Sequence, residues 1–211
     1  EEISDGRLYD ANDMVKADCK GCEGCSACCR GMGKSIVLDP LDVHRLTTGL
    51  GVPFEALLSQ HIELNVVDGL ILPNLKMTES ADACPFLNGQ GRCSIHAYRP
   101  GICRLFPLGR FYENDSFRYF LQVHECPKPS KAKIKVYKWL DTDDIRTYEQ
   151  FISDWHYFLK ALQERIAGME DQTQIRSICM YVLQQFYLAP CEDFYEAFHG
   201  RLDEAKRYFE M

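Results

Sequence analysis

Cys19-Lys20-Gly21-Cys22-Glu23-Gly24-Cys25-Ser26-Ala27-Cys28-Cys29 places five thiols in eleven residues, and the reading of this stretch decides the rest of the chain. Cys19, Cys22, Cys25 and Cys28 step by three, and Cys29 follows directly. Two-residue gaps let neighbouring thiolates fold back on one centre, and Gly21 and Gly24 relax the backbone inside two of those gaps. Thiols at this density are a liability in a reducing cell unless something binds them. A metal or iron–sulfur site is the leading reading, set against buried or disulfide-bonded cysteines.

The surrounding composition suits a folded chain of ordinary type: 211 residues, 46% hydrophobic and 26% charged. That length allows one large domain or two small ones with a real core. No apolar run approaches the ~18–20 residues that span a bilayer, and no secretory pattern opens the sequence. Eleven cysteines in such a chain point to metal or redox chemistry in the cytoplasm, and an odd count disfavours a closed disulfide framework. The net charge is −7. Residues 1–130 carry 13 Lys/Arg against 17 Asp/Glu, and residues 131–211 carry 11 against 14. Neither half offers the positive field that nucleic acid or an anionic membrane demands, so neither is expected as a partner.

Outward from the cysteine run, residues 1–18 read as an irregular or weakly helical lead-in. Ser35–Leu38 reads as a short strand. Asp39-Pro40 starts a helix, with a capping side chain and proline at the first helical position, and Gly49 to Gly51 stops it. Pro53–Leu58 begins a second short helix. Residues 62–77 form a hairpin around Asp68-Gly69, and Gly109–Val123 a second around Asn114-Asp115-Ser116. Pro127–Lys133 looks like a junction, and nine of the eleven cysteines lie before it, between 19 and 126. The Lys131–Lys138 lysine run reads as a solvated strand or linker face. Beyond it Ile145, Tyr148, Ile152, Trp155, Leu159, Leu162, Ile166 and Met169 recur at alternating steps of 3 and 4, one long amphipathic helix. Two more helices follow, through Ile175–Phe186 and Phe194–Phe209. The expected fold class is α+β: a loop-rich cysteine-cluster metal domain with short β-hairpins over residues 1–130, then an antiparallel helical unit over 131–211.

Four further cysteines sit in telling surroundings: Cys84-Pro85-Phe86-Leu87, Gly91-Arg92-Cys93-Ser94-Ile95-His96, Arg99-Pro100-Gly101-Ile102-Cys103-Arg104-Leu105-Phe106-Pro107, and His124-Glu125-Cys126-Pro127. With the C-x2-C-x2-C-C signature at 22–29, this ordered set resembles the YkgJ-type CxxCxxCC family of zinc- or iron-chelating cysteine-cluster proteins, over roughly residues 19–127. The resemblance implies a ligand set of Cys22, Cys25, Cys28, Cys29, Cys84, Cys93, Cys103 and Cys126, with Cys19 as an addition to the shorter signature. His96 and His124 read as structural rather than as ligands, and so do His44, His61, His156 and His199.

Eight or nine thiolates can serve two four-ligand sites, or one site with spare thiols. Structural zinc typically takes four ligands from two separated knuckles. Here Cys19, Cys22, Cys25 and Cys29 also follow the C-x2-C-x2-C-x3-C run of bacterial ferredoxins, although Arg30 stands where that run has proline. Crowded CxxC steps favour an iron–sulfur cluster, of [4Fe–4S] type, over zinc; spacing leaves both open. Arg30, Arg99 and Arg104 adjoin the cysteine motifs and could stabilise a negatively charged cluster, or form surface ion pairs. Structural zinc contributes on the order of 10–16 kcal/mol, against about 5–15 kcal/mol for a whole domain. Residues 19–127 are therefore expected to fold only with metal bound.

A more distant similarity to flagellin lysine-N-methylases implies a protein-modifying enzyme that uses S-adenosylmethionine. The sequence lacks a C-x3-C-x2-C triplet, with Met32 where its third cysteine belongs, and Gly31-Met32-Gly33 is too short for a nucleotide loop. Three uses remain open: a redox module acting on a protein partner or substrate, a zinc-stabilised interaction module, and a methyltransferase-like enzyme. Cys179, on an apolar helix face, reads as core. Cys191 opens the last helix with no base beside it in sequence.

Overall fold

The structure is a computed structural model that describes residues 3–19, 25–79, 82–129 and 131–211. The chain is α+β, with helices joined to short antiparallel strand pairs. Strand β1 (Met14–Asp18) pairs with β6 (Ala132–Lys135), β2 (Ile62–Val67) with β3 (Leu70–Leu75), and β4 (Leu108–Glu113) with β5 (Ser116–Leu121). Helices α1 (Pro40–Leu50) and α2 (Phe54–Gln60) precede the first hairpin, and α3 (Gly101–Leu105) precedes the second. The tail comprises α4 (Val136–Leu140), α5 (Ile145–Ala167), α6 (Gln172–Val182) and α7 (Phe194–Tyr208).

Local chemistry sets most boundaries. Asp39 caps α1 in a reciprocal box with Asp42: Asp42 N–H donates to Asp39 Oδ1 at 2.8 Å and Asp39 N–H to Asp42 Oδ2 at 3.1 Å. Gly51, left-handed at φ 66°, closes the same helix. Asp144 and Asp193 cap α5 and α7 through their carboxylates. In the β2–β3 hairpin Asp68 and Gly69 both have positive φ, as a two-residue hairpin turn of primed type requires, and Asn114-Asp115 repeats the device between β4 and β5.

Two segments differ from expectation. Residues 14–18, read as part of an irregular or helical lead-in, form β1, with Val15 and Ala17 buried and Met14 and Lys16 exposed. Its partner β6 lies more than a hundred residues away, so the pairing has no local signal beyond that short alternation. Ser35–Leu38 is extended but makes only one isolated bridge, Val37 to Asn74. Leu38 N–H donates to Pro73 O and Leu75 N–H to Ile36 O, but Pro73 has no N–H to return.

The main apolar cluster joins residues from Ile36 to Phe209. Leu38 from the extended segment before α1, with Leu46 and Leu57 from the first two helices, shares this cluster with Leu70 and Leu75 of the hairpin and Phe151, Phe158, Phe186 and Phe198 of the tail. Tyr187 hydroxyl, buried in a π-helical turn after α6, donates to Leu38 carbonyl at 2.9 Å. A smaller cluster under β1, β4 and α4 holds Val15, Leu108, Tyr119 and Val136.

Candidate metal centre

Three stretches of irregular backbone are tied together around one cavity. The first is a 3₁₀ turn at Ala27–Cys29, closed by Cys29 N–H to Ser26 O at 3.0 Å. It is zipped to residues 82–84: Cys84 N–H donates to Cys29 O at 2.8 Å and Gly31 N–H to Asp82 O at 2.7 Å. The second is the 84–94 loop, bridged at Leu87 and Cys93 and held by Ser94 N–H to Phe86 O at 2.9 Å. Phe86 and Ile95 plug this loop into the main core.

The third is α3, a single short helix carrying Cys103. Its placement comes from Asp42, only 4% exposed, whose Oδ1 accepts Gly101 N–H at 2.6 Å. A Cβ at 101 would lie 2.9 Å from the Tyr148 hydroxyl, so a larger residue there has to displace that side chain. Arg104, also 4% exposed, donates to the carbonyls of Leu140, Asp141, Ala97 and Arg99 and so locks α3 to the end of α4.

The result is a cavity of about 230 Å³ lined by Cys28, Cys29, Cys84, Cys93 and Cys103, with Arg99 at its wall. The thiols influence one another. Cys28 donates to Cys29; that bond first, then burial, pushes the Cys28 thiol up, while the same bond, against burial, lowers Cys29. Burial pushes Cys84 and Cys93 up, and burial followed by the Asp42 carboxylate pushes Cys103 up. Left alone, most of these groups hold their protons; a bound cation reverses that preference and takes them as thiolates. Five thiols around one cavity, with the Glu125 side chain also on its lining, fit a thiolate-held metal centre. Among the described residues, however, no three His, Cys, Asp or Glu side chains stand together as ligands of a single ion.

The other predicted site residues fall as follows. Cys19, 8% exposed at the end of β1, and the half-buried Cys25 and Cys126 are not among the cavity walls. Cys126 presents its carbonyl to Lys131 Nζ at 3.1 Å. Cys22 lies outside the described residues. Of the arginines, Arg99 lines the cavity, and its Nη1 lies 3.0 Å from His96 Nε2. Arg30 is exposed with Nε 3.4 Å from Ser26 Oγ, and the Arg104 guanidinium is occupied by backbone carbonyls.

Sequence reasoning missed Asp42, although its place three residues after the capping Asp39 was a readable signal. It also missed a neighbouring cavity of about 490 Å³ that shares Ile102, Leu108 and Gln122 with the first and holds Asp39, Asp42 and Arg110. Arg110 Nη2 donates to the Tyr148 hydroxyl at 2.8 Å.

The family model "CxxCxxCC: Putative zinc- or iron-chelating domain" matches residues 21–136, more than half of the chain. The chain belongs to the CxxCxxCC family. No curated protein and no solved structure matches it. The CxxCxxCC span takes in all three cavity-forming stretches and ends at the first residue of α4, so α5 to α7 lie beyond it. The protein is therefore a cysteine-rich member of a zinc- or iron-chelating family, and none of its described helices is long and apolar enough to cross a membrane.

Proposed function

We propose that this protein holds an iron–sulfur cluster in the five-cysteine cavity and uses it for electron exchange with a protein partner in the cytoplasm. The observation that carries the reading is the distribution of the sulfurs: five thiols from three separate stretches surround one cavity of about 230 Å³. A single zinc draws four ligands to about 2.3 Å from one point, whereas a cluster spreads its thiolates over several irons. Four of the five cysteines Cys28, Cys29, Cys84, Cys93 and Cys103 would hold the cluster, leaving one as a spare thiol in the cavity. When bound, the cluster supplies one-electron chemistry.

The chain's own residues do the rest. Arg99 sets a cation against the thiolates, Ile95 and Leu75 exclude water from one wall, and Asp42 fixes the helix that presents Cys103. Purification without oxygen, followed by iron, sulfide and zinc analysis, tests the reading. The expected outcome is iron with equimolar sulfide and visible absorption that bleaches on reduction. Colourless protein with stoichiometric zinc would overturn it in favour of a zinc-stabilised interaction module.

A further inference from the structure

Cys191 is not among the residues that line the five-cysteine cavity. It precedes α7 by three residues and is half-buried, with its Sγ 3.6 Å from His44 Nδ1. His44 projects from the middle of α1, 147 positions earlier, and its ring packs against Phe194 with centroids 5.4 Å apart. Sequence reasoning set Cys191 aside for want of a base and took His44 as structural; the fold brings the two together. Both line a cavity of about 290 Å³ that also carries Thr47, Glu55 and Arg201. Arg201 is oriented by its Nη2, which donates to Pro190 O at 2.8 Å. Cys179 makes the contrast: 1% exposed in the core, its Sγ lies 3.8 Å from Gly69 O and lines none of the cavities described above.

We propose that Cys191 and His44 form a reactive thiol–imidazole pair that takes up a small disulfide carrying amino-acid carboxylate and ammonium groups. A thiol is a weak nucleophile until a base removes its proton, and an imidazole within hydrogen-bond reach is such a base. Burial, and then the charge of Arg45, hold the His44 imidazole below its ordinary value, so it is neutral and able to accept at pH 7. Arg201 and Glu55 place opposite charges on the cavity lining, which suits a zwitterionic ligand rather than a neutral one.

The step is thiol–disulfide exchange. His44 Nδ1 takes the proton from Cys191 Sγ. The thiolate electron pair attacks one sulfur of the disulfide, a new S–S bond forms to Cys191, and the original S–S bond breaks. The departing thiolate receives the proton from His44 and leaves as a thiol. The protein keeps one half of the disulfide and no net electrons are gained or lost.

The test uses the intact, metal-loaded protein with cystine at neutral pH, quenched in acid and mapped by mass spectrometry without reduction. The half-cystine adduct is expected at Cys191, forming at least about tenfold faster than on a synthetic peptide of residues 187–195, whose one cysteine lacks the base. His44→Gln, folded by circular dichroism, is expected to react at the peptide's rate, and Cys191→Ser to form no adduct at that peptide. Neutral hydroxyethyl disulfide is expected to react more slowly than cystine. Reaction at Cys191 no faster than the peptide, an unchanged rate in His44→Gln, or no preference for cystine would each overturn the proposal. The peptide comparison uses wild-type protein alone, so it decides even if His44→Gln fails to fold.

Discussion

Replacing Asp42 by alanine probes the join between the fold and the five-cysteine cavity. The Asp42 carboxylate accepts two backbone N–H groups, one from Gly101 at 2.6 Å and one from Asp39 at 3.1 Å, and each loses its acceptor in the variant. Gly101 is buried, so its N–H meets no water; leaving such a donor unmade costs about 1–3 kcal/mol. Loss of the Asp39 N–H acceptor breaks the capping box and adds about 0.5–1 kcal/mol. In the other direction, burial and then the nearby Asp39 carboxylate push Asp42 well above the usual carboxylate range, and removing that strained acid returns part of the cost. The expected net destabilisation is about 2–3 kcal/mol, a large share of the ~5–15 kcal/mol that holds a domain folded. Urea unfolding of metal-free protein measures it, and metal analysis of the same variant reads the second effect: α3 keeps its Arg104 contacts but loses the Asp42 tether, so Cys103 is held less firmly at the cavity and bound metal falls. Asp42→Asn keeps an oxygen for Gly101 but turns an amide donor toward Asp39, so it should cost less than the alanine variant. Wild-type stability and full metal content in Asp42→Ala would refute the view that this carboxylate positions the site.

Cys103→Ser should lose most of the bound metal, whereas Cys179→Ser, in the core and away from the cavity, should keep it while costing some stability; metal-to-protein ratios decide. Burial pushes Asp39 up to about 6, above its ordinary ~3.9, so between those values the native state holds more protons than the unfolded one. Its contribution is complete below about pH 4 and is lost as pH rises through about 6, at no more than about 1.4 kcal/mol per pH unit; Asp39→Asn should flatten that slope in denaturation series on metal-free protein. Chelation should reduce far-UV circular dichroism only modestly and leave a cooperative melt, while opening Cys84 and Cys93 to thiol reagents; loss of all cooperative unfolding would refute this.

What the sequence revealed depended on how local the cause was. Asp68-Gly69 and Asn114-Asp115 announced their hairpins because a two-residue turn fixes the register of the strands on either side. The alternating 3- and 4-residue recurrence of apolar side chains from Ile145 to Ile166 announced α5 because one buried face is a property of that segment alone. Strand β1 stayed hidden, since only β6 gives it a partner. The same distinction runs through the candidate sites. Closely spaced cysteines identify a chelating family, because ligand spacing is local. The grouping of Cys28 and Cys29 with Cys84, Cys93 and Cys103, apart from Cys25 and Cys126, depends on where three loops are zipped together. The Cys191–His44 pair depends on α1 meeting the start of α7 and has no sequence signature.

That dependence on long-range packing also limits what the metal has to hold. Sequence reasoning gave the whole 19–127 region to the metal. Yet α1, α2 and the β2–β3 hairpin bury their apolar side chains in the same cluster as α5, α6 and α7, and the Tyr187 hydroxyl ties the tail to Leu38. Even the cysteine loops reach this cluster through Phe86 and Ile95. Without metal, these elements keep their apolar burial, the dominant favourable term in folding. What a metal adds is expected to be confined to backbone with little core of its own: the 25–31 turn, its pairing with 82–84, and the mouth of the 84–94 loop. A centre built this way is expected to gain or lose its ion without unfolding the protein, because the helix that carries Cys103 and the loop plugs are fixed by contacts in which the ion takes no part.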